Sequence, residues 1–380
     1  MAQHPIKRLF TPGPLTTSRT VKEAMLVDVG SRDDDFIAMV RDIRNRLLQL
    51  GEVSQAQGYE AILVQGSGTF GVEAVLSCAI PPTGKLLILI NGAYGDRMLA
   101  IAGRHGLTTD VLRWPENEFT DPAAVQRRLA QDPAITHVAV VHCETTTGLV
   151  NPVQKLGEVV RAAKRSYIVD AMSSFGAIPL SLASAHIDFL VSSANKCIEG
   201  VPGFSFVLAR QQALESCRGN ARTLSLDLFE QWRGLEANGQ FRFTPPTHAL
   251  LAFNQALREL EAEGGVAGRA KRYQANHAAL VQGMIALGFQ LYLSPELQSW
   301  IISAFHYPAD PAFQFETFYQ RLAQRGMVIY PGKLGNVACF RIGNIGRLTA
   351  QDIQDLLEAV AAVLRSMNLP VPLLPIAARI

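Results

Sequence analysis

The chain has 380 residues, 48% of them hydrophobic and 18% charged, with a formal net charge of +2. That length exceeds what one core comfortably serves, so two domains are expected. The near-neutral balance and the absence of any dense Lys/Arg run exclude a nucleic-acid binder, and no apolar run reaches the ~20 residues of a membrane helix. The five cysteines, Cys78, Cys143, Cys197, Cys217 and Cys339, form no C-x-x-C pair. An odd, scattered set points to reduced thiols and a cytoplasmic setting. Residues 1–8 hold no apolar signal segment.

In chain order, Phe36, Val40, Ile43, Leu47 and Leu50 make a helical stripe. Asp33, Asp34 and Asp35 stand at its start, where acids complement the helix dipole; no metal site is read from them. Apolar strand-like runs follow at 61–64, 85–90, 137–142, 167–170, 189–193 and 204–208. Helical patterns at 69–79, 96–105, 123–132 and 153–164 lie between most of them. This alternation predicts an α/β fold with a mainly parallel sheet covered on both faces. Ligands then gather at the carboxyl ends of the strands, where Ser67, Asn91, Glu144, Asp170 and Lys196 fall. The character changes after about residue 245. A helix over 248–263 closes on Gly264-Gly265, and a terminal helix opens with the capping box Thr349-Ala350-Gln351-Asp352. Its stripe is Ile353, Leu356, Leu357, Val360, Val363 and Leu364. A smaller α+β domain is expected there.

The segment Gly66-Ser67-Gly68-Thr69-Phe70-Gly71 matches G-x-G-x-x-G after a strand and before a helix. A dinucleotide reading, and with it a nicotinamide oxidoreductase, is disfavoured, because the next strand ends in Asn91-Gly92 and not in an acid. Small residues at a helix N-terminus suit any phosphate, with Ser67 and Thr69 adding hydroxyls. Tyr94, in the turn Asn91-Gly92-Ala93-Tyr94-Gly95, offers an aromatic face to a flat ring. The run His142-Cys143-Glu144-Thr145-Thr146-Thr147-Gly148 presents hydroxyls at another strand end.

Lys196 and Asp170 carry the strongest signal. A lysine at the end of a buried strand is costly unless paired or neutral. An acid and a lysine at successive strand ends fit pyridoxal 5'-phosphate: the amine binds the aldehyde covalently, and the carboxylate keeps the pyridine nitrogen protonated.

Together these segments resemble the class V branch of the fold-type I pyridoxal-phosphate aminotransferases. The matching stretches are 9–19 (LFTPGPLTTSR), 65–73 (QGSGTFGVE), 91–98 (NGAYGDRM), 142–152 (HCETTTGLVNP), 169–179 (VDAMSSFGAIP), 192–203 (SSANKCIEGVPG) and 241–247 (FRFTPPT), and the likeness runs on to Phe340-Arg341-Ile342-Gly343. It implies a seven-stranded sheet and three parts: a segment 1–15 contributing to the active site, a large cofactor-binding domain 16–247, and a small domain 248–380. It also implies roles. Lys196 would hold the cofactor, its pKa lowered from ~10.4 by the cationic ring, and Asp170 would face the ring nitrogen. Tyr94 would stack on the ring, Thr145 would lie by its 3-oxygen, and Ser67, Gly68, Thr69 and Asn195 would complete the contacts. Thr244 would reach the phosphate from a neighbouring subunit, so a homodimer with shared sites is implied. Phe241 stands where alanine–glyoxylate relatives carry a tyrosine, so that hydroxyl is absent. Arg341, with Gly13 nearby, would bind substrate carboxylate, and Arg19 would add charge for a phosphonate.

The finest likeness is to those members that move an amino group from 2-aminoethylphosphonate to pyruvate. Rivals are an alanine–glyoxylate or serine–pyruvate type of the same branch, and a cysteine desulfurase. The latter would need a mobile nucleophile, for which Cys339 in its apolar strand is unsuited.

Overall fold

A computed structural model describes residues 7–332 and 337–374. Residues 1–6 of the expected N-terminal segment, and 375–380 of the expected small domain, lie outside the described residues.

Apolar runs such as Lys85–Ile90 (KLLILI) have no polar face, so they are stable only where both sides are covered. Seven strands satisfy this in one sheet. Their spatial order is Tyr59–Gln65, Phe204–Arg210, Phe189–Ser193, Ser166–Asp170, Ile135–Val141, Lys85–Ile90 and Thr108–Arg113. The last five run parallel, and Phe204–Arg210 is antiparallel to both its neighbours. Helices between the strands supply the cover. In Val153–Ala162 the buried positions are Val153, Leu156, Gly157 and Val160, one helical face. Gly157 is needed for contact, since a Cβ there would stand 1.9 Å from the Ala185 carbonyl oxygen. The edge strand Thr108–Arg113 (TTDVLR) was not anticipated from the pattern. It is only partly buried and carries charge, so it lacks an apolar run, as unpaired sheet edges often do.

A second core lies beyond the first. Ile302–His306, Cys339–Gly343 and Tyr330–Pro331 form a small antiparallel sheet. Phe289, Phe305, Phe313, Phe318 and Phe340 pack there with the stripe of the helix Ala350–Ser366. That helix opens with the expected capping box between Thr349 and Asp352. The helix Thr247–Ala262 follows the change of composition, yet it buries Leu250, Phe253, Leu257 and Leu260 in the first core. The N-terminal residues go the other way. Arg8–Leu9 pairs in parallel with Met327–Val328, and Phe10 sits in the second core.

An ion cluster ties the two cores together just after Lys196. Glu199, at φ 66°, accepts from the Tyr273 hydroxyl at 2.6 Å and from Arg272 at 2.7 Å. Arg272 and Arg269 both bind Glu263, at 2.6 and 2.7 Å. Arg269 is fully buried and also donates to the Cys197 carbonyl. Glu263 is held down to about 2 despite burial, because both guanidinium groups favour its charge. Glu199→Ala should therefore leave two cations sharing the single carboxylate of Glu263 and the Tyr273 hydroxyl without its acceptor. We expect a loss of about 3–5 kcal/mol in urea unfolding at neutral pH; a loss under ~1 kcal/mol would show that water already screens the cluster.

Candidate active site

Two neighbouring parallel strands, Ser166–Asp170 and Phe189–Ser193, end at the same edge of the sheet, with Asp170 opposite Val191. The chain leaves the second strand in a turn that carries Asn195 and Lys196. Asp170 is buried, and its carboxylate accepts the Met172 N–H at 2.8 Å. Burial pushes its pKa up to about 6, against the pull of that N–H, Lys196 and Arg97. The Lys196 amine donates to the Pro12 carbonyl at 2.6 Å. Its pKa is lowered to about 8, chiefly by burial; Cys197 and Asp170 oppose this, and Arg97 and Arg341 add to it. Removal from water is thus the leading cause among the protein's own groups, and the cationic ring expected to lower it further would act in addition. Gly13 explains how the N-terminal segment comes so close. At φ 124° it holds a conformation that disfavours side chains, and a Cβ would lie 2.8 Å from Lys196 Nζ.

Around these two groups lies a cavity of about 250 Å³. Gly13, Ser67, Gly68, Thr69, Tyr94, Asp170, Asn195 and Lys196 all line it, so the structure brings eight of the expected residues together. Ser67 precedes the helix Gly68–Ala79 and makes no side-chain capping bond. The helix start therefore faces the cavity with its first N–H groups and a free-standing hydroxyl, a ready anion cradle. Asn195 accepts from the Ser193 hydroxyl at 3.1 Å.

Tyr94 is placed by a group from a different strand end. Glu144 is fully buried, and its carboxylate accepts the N–H of Gly95 at 3.0 Å and of Tyr94 at 3.4 Å. It thus caps the helix Ala93–Arg104 from outside. A Cβ on Gly92 would stand 2.5 Å from that carboxyl carbon, so glycine keeps the approach open. Burial raises the Glu144 pKa to about 8, with the two N–H groups working against it. Asn91, another strand-end candidate, is spent on structure: its amide bonds Asn151 at 2.8 Å and the Glu118 carbonyl at 2.9 Å.

Three expected residues stand apart from the cavity wall. Arg341 is buried in the small sheet, donating to the Thr145 carbonyl at 2.7 Å and to the Pro331 carbonyl at 2.8 and 3.1 Å. Its guanidinium lies 4.9 Å from the Tyr330 ring, and Tyr330 itself lines the cavity. Thr145 is buried, and its hydroxyl has no hydrogen-bond partner among the described residues. Thr244 is elsewhere: it is exposed and lines a separate surface pocket with Arg32 and Phe243. Phe241 packs against the first core. Arg19, a fourth expected residue that does not line this cavity, is exposed and paired with Glu23 at 2.5 Å.

Sequence reasoning missed Arg97 and Tyr330. Arg97 lies 4.7 Å over the Tyr94 ring and donates to the Thr69 hydroxyl at 3.4 Å. Its spacing of three from Tyr94 on a helix was the available signal. Tyr330 had none, since it sits far along the chain in a two-residue strand.

The donor set fits a phosphorylated aromatic aldehyde. An anion cradle, an amine of lowered pKa and a buried carboxylate share one cavity, and the unpartnered Thr145 hydroxyl awaits an acceptor. Comparison with known proteins points the same way. The aminotransferase class-V family profile matches residues 23–332. The 2-aminoethylphosphonate–pyruvate transaminase of Salmonella heidelberg (strain SL476) is 54% identical over 362 residues, covering 95% of this chain and 98% of that protein. The enzyme of the same name from Salmonella typhimurium (strain LT2) is 54% identical over 93% of this chain and 96% of its own length. In structure, alanine–glyoxylate aminotransferase from Nostoc sp. is similar with a TM-score of 0.87, at 26% identity and 96% coverage of both chains. Ureidoglycine–glyoxylate aminotransferase from Bacillus subtilis gives 0.88 at 24% identity, covering 97% of this chain and 95% of its own, a likeness of fold.

The lowered lysine pKa has a direct test. Only the neutral amine attacks an aldehyde, so the attachment rate of pyridoxal phosphate to apoprotein should rise with pH and level off above about 8. A rate still climbing through pH ~10, the range of an ordinary lysine, would contradict the burial argument.

Proposed function

The chain belongs to the class-V aminotransferases, and from that membership we propose that it moves the amino group of 2-aminoethylphosphonate to pyruvate, releasing phosphonoacetaldehyde and L-alanine. One observation carries the site assignment: Lys196 and Asp170 end neighbouring strands in a single cavity whose wall includes an uncapped helix start at Ser67.

In this reading the helix start at Ser67, Gly68 and Thr69 holds the phosphate of pyridoxal 5'-phosphate, Lys196 holds the aldehyde carbon, and Asp170 faces the ring nitrogen. Tyr94 covers the ring, Thr145 donates to its 3-oxygen, and Asn195 lies alongside. When bound, the cofactor supplies an aldehyde to carry nitrogen and a ring to accept an electron pair. The residues do the rest. The Asp170 carboxylate, buried and oriented by the Met172 N–H, keeps a proton on the nitrogen opposite it. Lys196 Nζ, displaced by the incoming amine and about half neutral near pH 8, takes the proton from the donor carbon that bears nitrogen. Arg341 receives the charged end of each substrate. Its N–H groups bonded to Thr145 and Pro331 fix the fork, and those remaining suit either a planar carboxylate or a phosphonate oxygen pair. Gly13 leaves the approach to Lys196 clear. The large curated relatives covering nearly the whole chain support the phosphonate donor over glyoxylate-type partners.

A homodimer with shared sites belongs to the same proposal. Thr244 is exposed and lines a pocket other than its own chain's Lys196 cavity, and Leu26, Val27, Phe70 and Phe243 are exposed large apolar residues. Phe243 and Thr244 are tied to the strand before Ser67 by the Gln65 amide, at 3.0 and 3.3 Å. A second copy covering this face would bring its Thr244 to the phosphate cradle. Cytoplasmic residence, which cell fractionation checks, is supported by five buried cysteines with no disulfide among the described residues. No helix among those residues is long and apolar enough to cross a membrane.

The purified enzyme with 2-aminoethylphosphonate and pyruvate should yield alanine and aldehyde in equal amounts, faster than with alanine plus glyoxylate or serine plus pyruvate. Lys196→Ala should lower the rate by at least ~10³-fold, and borohydride should fix the cofactor on the peptide 192–210 of the wild type alone. Preference for glyoxylate would replace the donor assignment, and label on another lysine would remove the site assignment. For assembly, sedimentation should give twice the chain mass. Phe243→Asp should shift it toward monomer and loosen the cofactor together, whereas a monomeric wild type would end the shared-site proposal.

A further inference from the structure

At the opposite edge of the seven-stranded sheet, where the parallel strands begin, lies a cleft of about 670 Å³. Its chemistry is one-sided. Four cationic side chains line it, Arg161, Lys164, Arg165 and Arg210, against the single carboxylate of Asp188. That carboxylate is already used, accepting the Tyr167 N–H at 2.9 Å and pairing with Arg210 at 3.1 Å. Arg161, Lys164 and Arg165 have no ion pair among the described residues. A chain of net charge +2 thus concentrates three uncompensated cations in one concavity. Like charges gathered in this way repel one another unless an anion sits between them.

Local structure accounts for part of this only. Arg161 stands in the last turn of the helix Val153–Ala162, where a cation complements the dipole. The next two residues have no such explanation. Lys164 holds φ 56°, a position that backbone energetics would give to glycine or asparagine. Arg165 sends one N–H to the Pro133 carbonyl at 3.1 Å, while its Nε is buried without a partner. The neighbouring Ser166 hydroxyl is likewise buried and unpartnered among the described residues. Both residues line the cleft and are only half-buried, so a small turn of their side chains would present these unpartnered donors to a phosphate oxygen.

We infer that this cleft is a second anion site, separate from the Lys196 cavity, that takes a small polyanion carrying phosphate groups. One phosphate would meet Arg165 and Ser166, and further negative charge would meet Arg161 and Lys164. Guanidinium forks favour phosphate over a diffuse or monovalent anion, and the spread of the cations favours more than one charged group.

Pyrophosphate is the probe, titrated calorimetrically into enzyme saturated with its cofactor, so that the Ser67 cradle is already filled. We expect saturable binding of one molecule per chain with Kd near or below ~0.1 mM at 0.15 M salt. Arg161→Ala/Lys164→Ala, both at exposed positions, should weaken it by at least tenfold. Arg104→Ala/Arg127→Ala, which removes two exposed cations elsewhere, should leave it unchanged. Transaminase activity should survive in both doubles, which shows that they are folded. Heat that does not saturate, or equal weakening in the two doubles, would mean general screening of a basic surface and would overturn the site.

Discussion

Lys196 has to be an amine that can lose its proton, and the chain achieves this by burial first and by charge second. The groups nearest to it do not all pull one way. Asp170 favours the ammonium, while Arg97 and Arg341 disfavour it, and desolvation tips the balance toward a pKa of about 8. The same burial raises Asp170 to about 6. Two oppositely charged groups are therefore brought toward each other in pKa by one cavity. That convergence suits the roles proposed for the pair near neutral pH, an amine that moves a proton beside a carboxylate that faces a cationic ring nitrogen.

Such a cavity must be held by neighbours whose own polar groups are satisfied. On one side the turn after Lys196 is fixed by Glu199, whose carboxylate collects Arg272 and the Tyr273 hydroxyl from the helix Gly265–Ala286. On another, Glu144 gathers the first N–H groups of the helix that carries Tyr94 and Arg97. Both carboxylates are buried, and both act on backbone or on cations supplied by a different element. Rigid placement of the ring-facing side chains thus comes from acids that never line the cavity themselves.

Much of this was legible in the sequence, and the boundary is physical. Residues that act at the end of a parallel strand were found, because a fully buried strand is an unbroken apolar run and its end is sharp. Asp170 and Lys196 are of this kind, and Ser67 follows a strand that is buried in the same way though it pairs antiparallel. The edge strand Thr108–Arg113 escaped because half of it faces water and its pattern is mixed. Arg97 escaped because on a helix the informative spacing is three or four, and several residues share that relation to Tyr94. Tyr330 escaped because its two-residue strand has no periodicity to read. The helix Thr247–Ala262 shows a further limit: its stripe reveals that it is buried, but not which of two cores receives it. Arg19 shows a related limit, since charge in a motif does not say which way a side chain points.

Substrate recognition is where the two cores have to cooperate. Lys196 and Asp170 stand on the large sheet, whereas Arg341 stands in the middle strand of the small one. What joins them is mostly backbone. The Thr145 carbonyl from the large layer accepts from Arg341, and the Gly343 N–H beside it donates to the Phe10 carbonyl, two residues before the Pro12 carbonyl that receives Lys196. A path of main-chain contacts thus runs from the guanidinium to the amine without a flexible side chain between. Any shift of the small sheet against the large one would alter the distance between the Arg341 guanidinium and the Lys196 amine, the groups proposed to bind a substrate's charged end and to move its proton. On those proposed roles, substrate binding and proton transfer are one geometric requirement, set by how closely the N-terminal segment is packed between the two cores.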